Sequence, residues 1–384
     1  MIFSFRYLAI GVLVLVSSTL FSQNKSVKKD STSAIRIKSQ VDGELVDRDD
    51  FTVIPILFYT PETTVGFGVG GQGTFYTKGS SVRSRPSSLF FSGVYTARNQ
   101  LLITAEPKIY FDNESFLLEG KFLFKVFPDY FWGIGNESKE AAREDFNMQS
   151  TILKVSFLRK LKPYVNFGFE YEFNHYKMLE YVEDGTVESS DYFGEETLLS
   201  GLGISINFDS RDNYQAPKGG AFYSLKTGVA SRAMGSTTAF NFTSIDIRRY
   251  FKLNKTRQHA TILAFQAYLN TTTGDVPFQR MSRYGGSIYA RGYYLGRYTD
   301  NNMFVLQSEV RSQLKGKWSI AAFAIAGDVF LNTGDLGLSQ VKSSLGGGLR
   351  WQIRKSDPSL LRLDLAYGFA TKGTGVYFGV NEAF

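Results

Sequence analysis

Residues 164–174 read Tyr-Val-Asn-Phe-Gly-Phe-Glu-Tyr-Glu-Phe-Asn. Val165, Phe167, Phe169, Tyr171 and Phe173 fall on one side of an extended chain, and Asn166, Gly168, Glu170, Glu172 and Asn174 on the other. Successive side chains of a strand point to opposite faces, whereas a helix would wind the same residues around its whole circumference. The stretch is therefore a strand with one ring-rich apolar face and one polar face.

The same split recurs in both directions along the chain. Phe116, Leu118, Phe122 and Phe124 oppose Glu119, Lys121 and Lys125, and Leu202, Ile204, Ile206 and Phe208 oppose Ser205, Asn207 and Asp209. If the apolar face meets lipid, a slip of one residue would turn lysines outward at about 2–4 kcal/mol each near the midplane, so the facing is strongly set. A soluble β-sandwich also has one apolar face, but it rarely turns phenylalanine and tyrosine outward at this density. The chain carries 34 Phe, 22 Tyr and 37 Gly, which suits a transmembrane barrel with aromatic girdles and small residues where strands crowd.

Arg6 precedes an apolar run, Leu8 to Val16, that gives way to Ser17, Ser18, Thr19 and Phe21-Ser22-Gln23. This predicts a secretory signal peptide over residues 1–22, cleaved near Ser22. The competing reading is an uncleaved helical anchor, but the run is shorter than the ~20 residues a spanning helix needs. Residues 23–50 are polar and charged and predict a short flexible periplasmic segment. From Phe51 to Phe384 the chain becomes segments of about ten alternating residues separated by turn chemistry, the mark of an all-β antiparallel transmembrane barrel.

Segment starts fall near Phe51, Thr64, Ser87, Gln100, Glu114, Met148, Lys162, Thr197, Gly219, Ser236, Arg257, Asn302, Lys317, Val341, Ser359 and Thr374, which predicts about 16 strands. A periplasmic N-terminus puts the long connections 128–147, 177–196 and 271–301 outside. The short ones, at Asp112-Asn113, 159–161, 253–256 and 314–316, then lie on the periplasmic side.

Several chemistries are excluded. The chain has no cysteine, so disulfides, thiolate metal sites and a thiol nucleophile are absent. Its two histidines, His175 and His259, are too far apart in sequence for ligand spacing, so no metal and no cofactor are expected. The net charge is +7, but the 43 basic and 36 acidic residues are interspersed, which argues against nucleic acid and for lipid headgroups or a charged lumen. An outer-membrane lipase would need a nucleophile and a base on one outward rim. His175, at a strand end, reads as interface decoration instead.

Two features exceed what connectors need. The turn running from Asp209 to Gly220 places Asp209 and Arg211 on the lumen face and Asp212 at the rim, where their charges can pair across the lip; Pro217 and Gly219 supply fixed and permissive backbone angles. A plain solvated turn is the alternative. The second is the loop segment Arg283-Tyr-Gly-Gly-Ser-Ile-Tyr-Ala-Arg291-Gly-Tyr-Tyr-Leu-Gly-Arg297-Tyr. Folded into the lumen, Arg291 would need a carboxylate, because a buried unpaired guanidinium is not tolerated. Glu309, inward on the next strand with Gln307, Arg311 and Gln313, is available. A mobile basic surface loop is the alternative.

These stretches resemble the bacterial surface antigen superfamily, whose members include the central barrels of outer-membrane assembly, of the translocation and assembly module, and of two-partner secretion. The resemblance covers about residues 51–384. It rests on the D-x-R-D-x-x-x-x-P-x-x-G turn (Asp209, Arg211, Asp212, Pro217, Gly220), the R-G-Y tip (Arg291, Gly292, Tyr293) and Phe323-Ala-Ile-Ala-Gly327-Asp-Val-Phe330, with weaker support from Phe131-Trp-Gly-Ile-Gly-Asn136. It implies that Arg291 packs inside the barrel against acidic residues, by position Glu309. The family usually has F-x-D-x-G in the third stretch; here Ile325 holds the aspartate position, and inward Asp364 is the candidate replacement. Family members carry periplasmic transport-associated (POTRA) domains, but the stretch from Gln23 to Asp50 is too short for a folded domain of that kind. Phe384 and Gly379 suit the C-terminal insertion signal, whereas Glu382 occupies a place usually apolar.

The resemblance implies an integral outer-membrane barrel acting with partner proteins, outer-membrane or periplasmic, in insertion or translocation. A weak seam between first and last strands, with Pro55 in one and Gly373, Gly375 and Gly379 in the other, would allow lateral opening. The alternative is a structural or pore-type barrel lined by Glu119, Lys121, Glu170, Glu172, Arg311, Arg350 and Asp364.

Overall fold

The computed structural model describes residues 39–41, 44–46, 50–78, 84–189, 194–254, 260–335, 340–353 and 359–384. The expected signal peptide, most of the segment before residue 50, and His259 lie outside them. Sixteen antiparallel strands close into one barrel. They are β1 (Asp50–Thr60), β2 (Thr64–Phe75), β3 (Ser87–Thr96), β4 (Leu101–Phe111), β5 (Phe116–Phe131), β6 (Glu144–Lys162), β7 (Val165–Tyr181) and β8 (Glu196–Asp209). The second half comprises β9 (Gly220–Ala230), β10 (Phe240–Lys252), β11 (Thr261–Gly274), β12 (Asn302–Gln313), β13 (Trp318–Phe330), β14 (Lys342–Gln352), β15 (Leu360–Gly368) and β16 (Gly373–Val380). Before the barrel, Ser39–Val41 pairs antiparallel with Glu44–Val46.

The alternation read from the sequence sets the two faces. Phe169, Leu202, Ile204, Leu306 and Leu363 are exposed on the outer wall, as a lipid-facing belt requires, while Glu170, Glu172, Glu309 and Asp364 are buried inside. Inward charges pair between neighbouring strands, Lys108 with Glu119 at 2.8 Å, Lys121 with Glu106 at 3.0 Å and Lys154 with Glu172 at 3.1 Å, and Lys226 of β9 reaches across β8 to Glu170 of β7 at 2.6 Å. Cross-strand pairs of opposite charge stabilise a sheet and keep the inner wall compatible with water.

The widest differences in strand starts are at Met148, Ser236 and Arg257, where the strands begin at Glu144, Phe240 and Thr261. The loops expected at 128–147 and 177–196 shorten to 132–143 and 182–195 because three strands, β5 to β7, run on past the membrane band. The longest of them, β6, has 19 residues. A tilted strand needs only about 9–11 to cross. The third long connection is 275–301, and it folds inward.

Closure is uneven. The last two strands, β15 and β16, share eight registered pairs, from Leu361↔Val380 to Gly368↔Gly373. The β16–β1 seam has one, Phe378↔Tyr59.

Candidate functional site

Residues 275–301 enter the lumen from the long-loop rim. The segment holds a short hairpin, Ser282–Tyr284 against Tyr298–Asp300, and one helical turn, Gly286–Tyr289. Four of its glycines carry positive φ, including Gly285 at 129° and Gly292 at 104°, where an L side chain is strained. A Cβ on Gly292 would also press on the backbone nitrogen of Gly368 at 3.0 Å, so the tip lies directly against β15.

Each arginine of the loop has an acidic partner. Arg280 reaches Glu172 at 3.4 Å, Arg283 meets Asp129 at 2.8 Å, and Arg297 meets Glu140 at 3.1 Å while donating to Ser138. Arg291 is fully buried: its Nη2 donates to Glu309 Oε2 and its Nη1 to Asp364 Oδ2, both at 2.6 Å. Its guanidinium lies 3.5 Å from the centre of the Phe323 ring, a desolvated cation–π contact.

The two acids are shared with three more arginines. Arg311 Nε donates to Glu309 at 2.9 Å, and Arg350 donates to Glu309 at 3.0 Å, to Asp364, and to Glu382 at 2.9 Å. Arg362 stands 3.7 Å from Asp364. A guanidinium presents five donors in a planar fork, so one arginine can bridge several carboxylates in a fixed geometry that a lysine does not reproduce.

Arg291, Gly292, Tyr293, Glu309 and Asp364 thus come together at one level of the lumen. Asp364 on β15 stands opposite the loop arginine, and Ile325 on β13 packs in an apolar cluster with Tyr284, Tyr293 and Phe323. The carboxylate facing Arg291 thus comes from β15, and the Ile325 position on β13 is filled by hydrocarbon.

The chain end leaves the barrel wall. The last strand stops at Val380, and Asn381, with φ of 63°, turns the chain inward. Glu382 therefore sits among arginines rather than in an apolar place. Phe384 is buried against Tyr250, Ile262 and Ala264. The acidic residue noted at a usually apolar place thus has its partners inside the barrel.

Two further contacts were not legible in the sequence. Tyr377 of β16 accepts from Gly292 N at 2.9 Å and donates to Tyr293 O at 3.3 Å. Glu62, in the turn between β1 and β2, accepts from Leu295 N at 2.7 Å. The loop therefore touches the elements on both sides of the seam. Burial raises the pKa of the Glu62 carboxyl, because removal from water disfavours its charged form. Trp132, in the connection that gave weaker support, stacks edge-on with Tyr294 at 5.1 Å, and Gly135 N donates to Thr299 O at 2.7 Å, so that connection roofs the loop.

The Asp209 turn lies at the short-turn rim. Asp209 and Arg211 pair bidentately with each other, at 2.9 and 2.8 Å, rather than across the lip. Asp212 Oδ1 accepts from Lys218 N and Gly219 N. Gly220, not Gly219, takes the positive φ, 92°, and a Cβ there would come within 2.2 Å of Ser210 O. Pro217 is buried in the turn. Tyr214 reaches from this turn to Arg85 before β3, while Gln215 O accepts from Glu382 N at 3.1 Å, so the turn spans the mouth. Beside it lies a vestibule of about 490 Å³ lined by Lys108, Glu119, Arg211, Tyr214 and Lys226. His175 pairs with Glu196 on the adjacent strand.

Comparison with known proteins agrees with this architecture. The family model described as the Omp85 superfamily domain matches residues 64–384. Among solved structures, BamA from Haemophilus ducreyi lacking POTRA domains 1–3 is similar with a TM-score of 0.63 at 13% identity, over 88% of this chain and 71% of that one. CdiB from Escherichia coli (TM-score 0.60, 12% identity) and CdiB from Acinetobacter baumannii (0.57, 11%) are similar over 88% of this chain and 63% and 60% of theirs. At these identities the likeness is one of fold. No curated protein matches the chain in sequence. With the family model covering most of its length, the chain belongs to the Omp85 superfamily of outer-membrane barrels.

Proposed function

We propose that this barrel acts in the insertion or translocation of polypeptides at the outer membrane, by parting β1 from β16 while partner proteins deliver the polypeptide from the periplasm. The observation that carries this reading is the seam with its one registered pair, Phe378↔Tyr59. Backbone hydrogen bonds contribute about 0.5–1.5 kcal/mol each, net. With eight pairs on one side of β16 and one on the other, the β1 seam is much the cheaper of the two to part. Pro55 offers no backbone donor to either neighbour of β1. The loop supports the same reading, since its contacts to Tyr377 and Glu62 hold both flanks and their release would free the seam.

The alternative, a pore-type barrel, has less support because the loop fills the lumen, with Arg291 and Tyr293 essentially without solvent exposure. The test uses the absence of native cysteine. Tyr59→Cys with Phe378→Cys places two thiols at the paired position, where facing Cα atoms lie within disulfide reach. Oxidation is expected to stop the accumulation of other barrel proteins in the outer membrane of cells that depend on this chain, and reductant to restore it. Full cross-linking with undiminished accumulation, together with a large steady single-channel conductance, would select the pore.

A further inference from the structure

Residues Asn381 to Phe384 leave the wall although a place on the wall stands open to them. β1 and β16 run antiparallel, so each step along β16 past Phe378 is one step back along β1 from Tyr59. Continued in that register, Val380 would face Leu57, and Asn381, Glu382, Ala383 and Phe384 would face Ile56, Pro55, Ile54 and Val53. Among the described residues no strand occupies that side of β1 from Asp50 to Phe58, and Val53, Ile54 and Leu57 are exposed.

The four residues are held inside the barrel instead. Asn381 takes a φ of 63°, and the amides of Asn381 and Glu382 donate to Leu360 O at 2.8 Å and Gln215 O at 3.1 Å. Glu382 meets Arg350 at 2.9 Å, Arg311 donates to the Phe384 main-chain oxygen at 3.0 Å, and the Phe384 ring packs on Tyr250, Ile262 and Ala264. The segment thus crosses from β16 to β10, β11 and β12. Docking there and pairing with β1 exclude one another, because the same four residues are needed for both.

Alternation explains why the inner place wins. Val376 and Val380 face outward and Tyr377 inward, so a continued strand would turn Asn381 and Ala383 to the lumen and Glu382 and Phe384 to the outer wall. A carboxylate is disfavoured on the lipid-facing wall, whereas inside it finds Arg350 and Arg311. Asn381 is the second determinant, since asparagine tolerates a positive φ that a β-branched residue resists.

We propose that residues 381–384 form a two-position latch: docked, with Glu382 on Arg350, they leave the periplasmic half of the seam open, and extended along β1 they close it. Glu382 and Asn381 set the balance toward the docked position. The latch concerns what holds the seam and stands whether or not polypeptide passes through it.

The test uses the full chain folded in detergent, which has no native cysteine. Ile54→Cys with Ala383→Cys brings two thiols within disulfide reach only in the extended position; docked, Ala383 is buried in the cluster with Ile262 and Ala264. The rate of disulfide formation is read against that of Tyr59→Cys with Phe378→Cys, which face one another in both positions. It is expected to be low with the native residues 381 and 382. In Glu382→Leu it should rise by about tenfold or more, the loss of one charge-assisted hydrogen bond, while Arg350 keeps Glu309 and Asp364. Asn381→Val, which acts on the turn and leaves Glu382 in place, should raise it independently. Compact unboiled mobility selects folded protein in every case. A rate already high with the native residues, or one that stays low in both folded variants, overturns the latch.

Discussion

Replacing Arg291 by alanine tests the lumenal cluster most directly. The side chain makes two charge-assisted hydrogen bonds of 2.6 Å and one ring contact at 3.5 Å, all without solvent exposure. Bonds of this kind contribute about 1.5–3 kcal/mol each. The acids are not stranded by its loss, because Glu309 keeps Arg311 and Arg350 and Asp364 keeps Arg350. The net cost should therefore sit within the ~3–5 kcal/mol seen when one member of a buried pair is removed. That raises the population of loop-out barrels roughly a hundred- to several-thousand-fold. The assay is limited trypsin digestion of the folded protein. Arg283 and Arg297 are held inside in the native barrel, so cleavage within residues 275–301 should be slow in the parent and fast in the variant, and the variant should lose its compact unboiled mobility at a lower temperature. Arg291→Lys, a point charge without the planar fork that spans Glu309 and Asp364, should fall between them. Identical cleavage rates and identical mobility transitions would refute the claim that this arginine holds the loop.

Gly220→Ala should destabilise by about 1–3 kcal/mol or more, since the new methyl meets both a positive φ and Ser210 O at 2.2 Å. Gly219→Ala, with only Asp212 Oδ2 near at 3.9 Å, should leave the mobility transition in place. Equal effects of the two would count against the assigned turn geometry. Glu62 predicts a pH dependence: its folded pKa is raised above 4.5 by burial, so the loop-in state binds the proton more tightly than the unfolded chain. Its charge therefore penalises folding above the raised pKa, and the penalty fades as pH falls toward 4.5. Midpoints of parent and Glu62→Gln should converge over that descent, and a gap that widens instead would reverse the sign.

Sequence reading went furthest where one strand carries its own evidence. The ring-rich side of residues 164–174 faces out, and Phe304, Leu306 and Val310 oppose Gln307, Glu309 and Arg311 as the alternation requires. It failed where a side chain's role depends on another strand. Asp364 is reached as a partner of Arg291 only through the family resemblance, nothing local marks Tyr377 and Glu62 as contacts across the seam, and Gly219 and Gly220 are indistinguishable until a φ is known. The inward placement of Glu382 and Phe384 was beyond reach of the alternation, because the turn at Asn381 ends the strand whose period assigns a face.

By itself the sequence determined which residues meet lipid and which meet the lumen, because a period of two is fixed by the chirality and pleat of a single strand. It also determined that the Arg291 loop needs an acid. Only closure of the barrel decided which inward residues share a level, since strand tilt and stagger are properties of the whole ring. That stagger brings β12, β14, β15 and the chain end to one height, and so gathers Glu309, Arg350, Asp364 and Glu382 around one arginine cluster.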